Sequence, residues 1–218
     1  MRSIAPRGRQ GRSTRDVILD AAERRFAQRG FAGVSMREIA ADAGLKNQAS
    51  LYHHFKNKKA LYEAVLARGL DPIIGMVAAS AEVEGEFGSA PFLDRVVDYL
   101  ADHPHLPRLI QRAGLDDSKY LRAVLQRAIR PLYNQGIRVL AGTGEYWEAS
   151  EMPHLAAGLY HLIFGYFADS TLLEAVLPEN PSSPAAIARQ RRFLKTAVSR
   201  LLGDNGESRA PRRTPKKG

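Results

Sequence analysis

The spacing of apolar residues predicts helices along most of the chain. Apolar positions recur every three or four residues, as Ile18, Leu19, Ala22 and Phe26 do in the first such segment. We find no segment that alternates apolar and polar residues with the period of a strand, and no Asn-Gly hairpin between such segments. The predicted fold class is therefore all-α.

Capping signals divide the N-terminal part into short helices. Ser13 starts an S-x-x-D capping box, and Gly30 lies where a glycine ends a helix. Ser35 and Glu38 form an S-x-x-E box that opens a second helix, which is predicted to end at Gly44. Only a few residues then separate this helix from the next.

A third helix is predicted over residues 46–55, and its two faces differ sharply. Leu51 and Phe55, four residues apart, form the buried face. Asn57 is placed to cap a fourth helix, which continues the core. The opposite face of the third helix is polar and consists of Lys46, Asn47, Gln48, Ser50 and His53.

The rest of the chain keeps the helical pattern and predicts about six further helices in a bundle. The last two are strongly apolar and lie near residues 153–177 and 185–202. We therefore predict an N-terminal helix-turn-helix domain over residues 14–60 and a helical domain over residues 61–202. Residues 1–13 and 203–218 are polar and basic, and are predicted to be a flexible arm and a disordered tail.

Charge is distributed unevenly between these parts. Residues 1–59 carry 13 Lys or Arg against 5 Asp or Glu, whereas residues 60–202 carry 14 against 16, and the whole chain has a net charge of +9. A basic N-terminal quarter on a slightly acidic body indicates that one end meets a polyanion. The alternative is a set of solvated arginines with no common partner.

Composition excludes several classes of site. The chain has no cysteine, which rules out disulfides, thiolate metal sites and a cysteine nucleophile, and which fits a cytoplasmic protein. No phosphate-binding loop, dinucleotide fingerprint, nucleophile elbow or metal-ligand spacing is present. We therefore predict no catalytic residue, no metal and no cofactor. The Met1–Gly11 segment does not read as a signal peptide, and the apolar stretch at 155–168 is too short to span a membrane.

Two short helices joined by a tight glycine turn have the geometry of a helix-turn-helix, whose second helix enters the major groove of DNA. Asn and Gln side chains can pair with adenine, and Lys can reach guanine or a phosphate. These residue types also occur on helices that merely face solvent. The spacing of apolar, glycine and aromatic residues over residues 14–62 is more specific and resembles the tetracycline-repressor (TetR) family: Phe26, Gly30, Phe31, Ser35, Ile39, Ala40, Ala43, Gly44, Leu51, Tyr52, His54, Phe55, Asn57 and Lys58.

The resemblance implies roles for individual side chains in this domain. Ser35 and Arg37 are expected to contact phosphates or the groove edge. Base contacts are expected from Lys46, Asn47, Gln48 and Ser50, and backbone contacts from Tyr52, His53 and Lys58. Tyr52 has an alternative place, partly buried against the first helix, and His54 is assigned to structure. Arginines of the arm, represented by Arg9 and Arg12, are expected in the adjacent minor groove.

Past about residue 70 the resemblance is one of architecture only. In that family the last two long helices pair with those of a second subunit, and a homodimer is needed to read a palindrome. The same residues can instead form the core of a single chain. The candidate interface residues are Leu155, Leu159, Leu162, Phe167, Phe193, Leu194, Val198 and Leu201.

A small-molecule effector is expected among the middle helices of the body. Ordinary core packing is the alternative for each candidate wall residue: Tyr99, His103, Arg112, Tyr133, Trp147, His161 and Phe164. The expected function is a repressor that releases a palindromic operator when the effector binds. An activator of the same fold, a small all-α enzyme, and a non-specific binder of nucleic acid or anionic membranes remain alternatives.

Overall fold

The computed structural model describes residues 13–83, 85–115, 119–141 and 147–203. Within these ranges the chain forms ten α-helices and no strand, as predicted. Most of the predicted arm and tail, including Arg9 and Arg12, lies outside the described residues. In chain order the helices are α1 Thr14–Arg29, α2 Met36–Asp42, α3 Gln48–Tyr52, α4 Lys58–Ser80, α5 Ala90–Asp102, α6 His105–Leu115, α7 Lys119–Ala141, α8 Met152–Ala168, α9 Ser170–Val176 and α10 Pro184–Leu201.

The first three helices pack around an aromatic cluster that includes the start of α4. Phe26 meets Tyr62 edge to face at 4.9 Å between ring centroids, and Phe31 meets Tyr62 at 5.2 Å. Such pairs stabilise a core beyond their buried area. The fourth helix therefore belongs to the core of the N-terminal domain as well as to the body.

Helix α4 is the structural link of the molecule. It packs on α1, α5, α6 and α7. Its first half buries Leu61 and Val65 beside α1, and its second half buries Ile73 and Val77 in the body. The predicted boundary between residues 60 and 61 falls inside this helix, so the two parts share one continuous apolar core.

One predicted helix of the body is two helices. The apolar segment near 153–177 is interrupted at Asp169, which leaves the helical conformation at φ −99° and ψ 29°. The Asp169 carboxylate accepts a hydrogen bond from Gln111 Nε2 at 2.5 Å, and Ser170 Oγ accepts one from Arg108 at 2.7 Å. Contacts with α6, which the local sequence pattern does not reveal, hold the break in place.

Helices α7 and α8 face α4 and α5 across the body, and α10 closes it against α5. Arg191 and Lys195 of α10 hold Asp94 of α5, at 3.1 and 2.8 Å. Among the described residues, no helix has the length and hydropathy required to cross a membrane.

Candidate functional site

The helix-turn-helix is held by capping contacts that the sequence predicts. The Ser35 hydroxyl accepts a hydrogen bond from the backbone N–H of Glu38, and the Glu38 carboxylate accepts one from the backbone N–H of Ser35. Gly44 follows α2 with φ +70°, a left-handed conformation that glycine adopts without strain. The chain thereby turns within a few residues from α2 into α3.

The third helix is shorter than predicted. Asn47 is its N-cap, and the Asn47 Oδ1 accepts hydrogen bonds from the backbone N–H of Ser50 at 3.0 Å and from the Ser50 hydroxyl at 3.1 Å. Lys46 precedes the helix and His53 follows it as the C-cap. The prediction of one helix over residues 46–55 is therefore wrong at both ends, because both termini use residues of the predicted polar face as caps.

Polar side chains nevertheless collect on the exposed side of α2 and α3. Gln48 Nε2 donates to the Tyr52 hydroxyl at 3.1 Å, and Tyr52 is 47% exposed. His54, which the sequence assigned to structure, is exposed as well. Ser35, Arg37, Lys46, Asn47 and His53 are exposed too, and Gln48 and Ser50 are half-buried.

The acidic residues of the domain are occupied by internal partners. Asp42 receives two hydrogen bonds from Arg25, and Glu38 receives one from Arg29 at 2.5 Å. Hydrogen bonds from Ser35 and Arg29 lower the pKa of Glu38 to about 2, so its charge persists well below neutral pH. Since residues 43–59 contain no Asp or Glu, the surface around α3 is left positive.

Lys58, for which the resemblance implies a contact with the DNA backbone, has partners inside the domain. Its ammonium donates hydrogen bonds to the carbonyl oxygens of Phe31 and Val34, both at 2.9 Å, and lies 4.4 Å from the centroid of the Phe31 ring. Partial burial lowers the pKa of Lys58. The side chain fixes the turn between α1 and α2 to the start of α4, which leaves it little freedom to grip a phosphate.

An ion-pair link joins α1 to α4 and is not evident from the sequence pattern. The Arg68 guanidinium donates to the carboxylates of Asp20 at 2.8 Å and Glu23 at 2.7 Å. Glu23 is buried. The partners lie 45 and 48 residues apart, so no local pattern predicts the contact.

The body contains a cavity of about 170 Å³ between α4, α5, α7 and α8. Its walls are almost wholly apolar. Of the predicted wall residues, Tyr133 and Phe164 line it. The Tyr133 hydroxyl already donates to the carbonyl oxygen of Pro153 at 2.5 Å, so the ring and not the hydroxyl is presented to the space.

The other predicted wall residues have structural partners elsewhere. Tyr99 donates to the Gly69 carbonyl oxygen at 2.8 Å and stacks on His103. Trp147 donates to the Leu201 carbonyl oxygen at 2.7 Å. Arg112 lies against Gly30 at the end of α1, and His161 borders a groove on the surface beside the cavity.

The predicted interface residues divide into two groups. Leu155, Leu159, Leu194 and Val198 are buried within the chain, where they are unavailable to a partner surface. An apolar helix can bury either face, so periodicity alone does not distinguish the two uses. Phe193 is 53% exposed, and Leu162, Phe167 and Leu201 are half-buried.

The comparison with protein families finds a match in the N-terminal domain. The model of the family described as bacterial regulatory proteins, tetR family, matches residues 18–65. An HTH-type transcriptional repressor of Streptomyces coelicolor is 34% identical over 109 residues, which cover 50% of this chain and 53% of the repressor. The HTH-type transcriptional repressor KstR2 of Mycolicibacterium smegmatis is 44% identical over 66 residues, or 30% of this chain and 32% of that protein. The chain thus spans about half the length, or less, of these curated relatives.

Solved structures share the whole architecture. The fatty acid degradation regulator FadR from Bacillus halodurans superposes with a TM-score of 0.67 over 90% of this chain and 98% of its own, at 15% identity. At this identity the likeness shows the fold alone, and that fold is an N-terminal helix-turn-helix on a helical body.

Proposed function

This chain carries the N-terminal domain of the TetR family of bacterial regulatory proteins, and we propose that it is a transcriptional regulator, not an enzyme, that binds operator DNA as a homodimer and releases it when a small molecule enters the body. The operator, the effector and the second copy of the chain are the three partners. Because its proposed partner is operator DNA, we expect the protein to act in the cytoplasm.

The observation that carries the proposal is the exposed polar surface of α2 and α3. A helix-turn-helix presents the N-terminal residues of its second helix to base edges. Here those residues are Gln48 and Ser50, with Lys46 immediately before the helix. Since Asn47 Oδ1 is occupied by the cap, we assign to Asn47 a base contact through its Nδ2 donors only.

Contacts to the DNA backbone come from the surroundings of α3. Arg37, Tyr52 and His53 are exposed and flank the helix, and Ser35 lies at the start of α2. Phosphate contacts set the position of the protein on the duplex, and base contacts set the sequence. The paired acids within the domain favour this arrangement, because no free carboxylate among them repels the phosphates.

Dimerisation follows from the geometry of a palindrome, which needs two recognition helices about 34 Å apart. We place the interface on the surfaces of α8 and α10 that the chain leaves uncovered, with Phe193 at its centre. Phe193, Leu162 and Phe167 offer apolar area there that a second copy would cover.

The effector site that we propose is the apolar cavity of the body. Ile73 and Val77 of α4 line it. The same helix carries Lys58, bonded to the turn before α2, and Arg68, bonded to α1. Val77 lies about 28 Å along the helix from Lys58 at 1.5 Å per residue, so we expect a displacement at the cavity to reach the helix-turn-helix through one continuous helix, in which Pro72 removes one backbone donor.

Fluorescence anisotropy with two duplexes tests the proposal. One duplex carries the palindrome found by footprinting the region upstream of the gene itself, and the other has a random sequence. A regulator binds the palindrome at least about a thousandfold more tightly at physiological salt. Gln48→Ala should reduce this ratio, whereas Gln28→Ala on the exposed side of α1 should leave it unchanged.

A non-specific nucleic-acid binder is the main second candidate, since the chain ends are basic. It would bind both duplexes equally, with an affinity governed by salt. Equal binding at every salt concentration would therefore refute operator recognition. The proposal of a repressor over an activator is tested separately, by following transcription from the footprinted promoter with and without the protein.

A further inference from the structure

The effector cavity adjoins a polar groove on the surface, and the two spaces share a wall. Ile129, Tyr133 and Tyr160 line both of them. On the side of the groove stand Arg130, Gln126 and His161. We propose that this site binds an alkyl anion of medium chain length, whose hydrocarbon tail fills the cavity and whose anionic head group binds Arg130. The regulatory consequence rests on the proposed function, but binding itself does not.

The cavity is suited to hydrocarbon and to little else. Its lining includes Phe87, Phe92 and Phe164, and the Tyr133 hydroxyl is already bonded to Pro153. A polar ligand group placed there would lose its hydrogen bonds to water without finding new ones. With about 170 Å³, the space is comparable to an engineered apolar cavity of about 150 Å³ that binds benzene, so it accommodates about six carbons without expansion.

Tyr160 stands at the border of the two spaces. Its ring stacks on Phe164 at 4.7 Å between centroids, and its hydroxyl makes no hydrogen bond within the described part of the chain. Burial raises the pKa of Tyr160 to about 12, so the group remains a neutral donor. The Tyr160 side chain is half-buried, and a head group at the mouth of the cavity would supply an acceptor for its hydroxyl.

The groove supplies the positive charge. Among the residues that the structure describes, Arg130 is exposed and forms no ion pair, and no Asp or Glu lines the groove. Gln126 lies one helical turn before Arg130, so both side chains occupy one stripe of α7. The parallel stripe of Ile129, Tyr133 and Gly136 faces the cavity. One helix thus presents an apolar wall to the tail and a guanidinium to the head, which can take a carboxylate through two hydrogen bonds.

Isothermal titration of the full chain with linear carboxylates tests whether the cavity binds the hydrocarbon tail. The series runs from butanoate to decanoate. Affinity should rise about fourfold with each methylene until about six carbons are buried and then level off. The alcohol of equal length should bind about fivefold more weakly, since it lacks the charge that Arg130 recognises.

Substitutions at glycine positions separate filling of the cavity from misfolding. A Cβ at Gly136 would meet no atom within 4 Å, and Gly136 lines the cavity. Gly136→Leu should weaken octanoate binding about sixtyfold, the loss of about three buried methylenes, while helix propensity favours the fold. Gly75→Leu is the matched control, because Gly75 lies on the exposed side of α4 with equal space. It should bind octanoate as the wild type does.

A second pair of variants tests how much the head group of the ligand contributes to binding. Arg130→Gln should reduce the affinity for octanoate to that for octanol and leave octanol unchanged. Arg138→Gln, two turns further along α7 and also exposed, should change neither. Undiminished octanoate binding by Gly136→Leu, or equal binding of octanoate and octanol by the wild type, overturns the proposal.

The outcome is independent of operator binding. A chain that recognises its palindrome but binds no alkyl carboxylate refutes this inference and leaves the proposed function standing. If octanoate binding depends on Gly136 and Arg130 as predicted but the chain binds both duplexes equally, this inference is supported and the proposed function is refuted.

Discussion

The side-chain ammonium of Lys58 lies 2.9 Å from the carbonyl oxygen of Phe31. With a second bond to the Val34 carbonyl oxygen, it joins the turn before α2 to the first residue of α4. These carbonyl groups lie past the end of α1, where backbone acceptors need partners from outside the helix. The Lys58 side chain therefore contributes to the orientation of α2 relative to α4.

Replacing Lys58 tests whether this contact or a phosphate contact explains the residue. Lys58→Met should lower the free energy of unfolding by about 2 kcal/mol, because two charge-assisted hydrogen bonds are lost at a partly exposed site. Urea unfolding measures the change, and Lys56→Met, at an exposed side chain, should be nearly neutral. A variant of full stability whose operator binding depends less on salt would instead assign Lys58 to the DNA backbone.

Asn47 can be tested for capping against base reading. Asn47→Ala should destabilise the start of α3 by about 1 kcal/mol, and Asn47→Ser should restore most of that loss because serine caps equally well. If capping dominates, Ser but not Ala retains operator affinity in anisotropy measurements. Equal loss in both variants, with relaxed preference at one base pair, would show that the Nδ2 donors read a base.

Acid should weaken the helix-turn-helix through Glu38. Its pKa is about 2 in the folded chain, below the ordinary value of 4.5, so the charge stabilises the fold above pH 4.5. That stabilisation is lost progressively as the pH falls from about 4.5 to about 2. Thermal unfolding of the wild type and of Glu38→Gln should therefore differ most at neutral pH and converge near pH 2. A difference that stays constant over this range would contradict the assignment.

Arg68 should connect effector binding with DNA release. Arg68→Met leaves the buried Glu23 carboxylate without its partner and should cost about 2 kcal/mol, discounted because the ion pair is partly exposed. The variant should also lose part of the effector-dependent change in operator affinity, measured by anisotropy with and without octanoate. Arg127→Met removes the more exposed pair with Glu63 and should change stability by less than about 1 kcal/mol.

A substitution at Phe193 tests the proposed dimer interface directly. Because its ring is 53% exposed, Phe193→Glu should leave the fold intact and place a charge in the proposed interface. Light scattering after size exclusion should then report a monomer, and palindrome binding should fall. Leu172→Glu on α9, at a residue 63% exposed, should remain dimeric. A wild-type chain that is monomeric at micromolar concentration would refute the interface.

Local signals in the sequence were sufficient for the ends of several helices. Ser13, Ser35 and Asn57 cap α1, α2 and α4, and Gly30 and Gly44 adopt φ +70° where a stop was predicted. These contacts join residues at most four positions apart, so the sequence contains both partners. Asn47 shows the limit of this approach, since a residue suited to reading bases is equally suited to capping.

The remaining differences come from contacts between distant residues. Lys58 and Arg68 find partners 24 to 48 positions away, and Asp169 is held by Gln111 across the body. Which side chains surround the cavity depends on the angles between α4, α5, α7 and α8. Tyr133 and Phe164 line the cavity, whereas Tyr99 and His103 stack on each other and are not among its lining residues.

A five-residue helix has too few internal hydrogen bonds to persist alone, and α3 is held by the cap at Asn47 and by the buried Leu51. The Lys46 side chain takes no part in that support, whereas Gln48 bonds to Tyr52 within the helix and His53 is its C-cap. Under the proposed function, a substitution at Lys46 can alter the DNA sequence that is preferred while stability stays the same. Descendants of a duplicated gene could in this way diverge toward separate promoters without first acquiring compensating changes in the core.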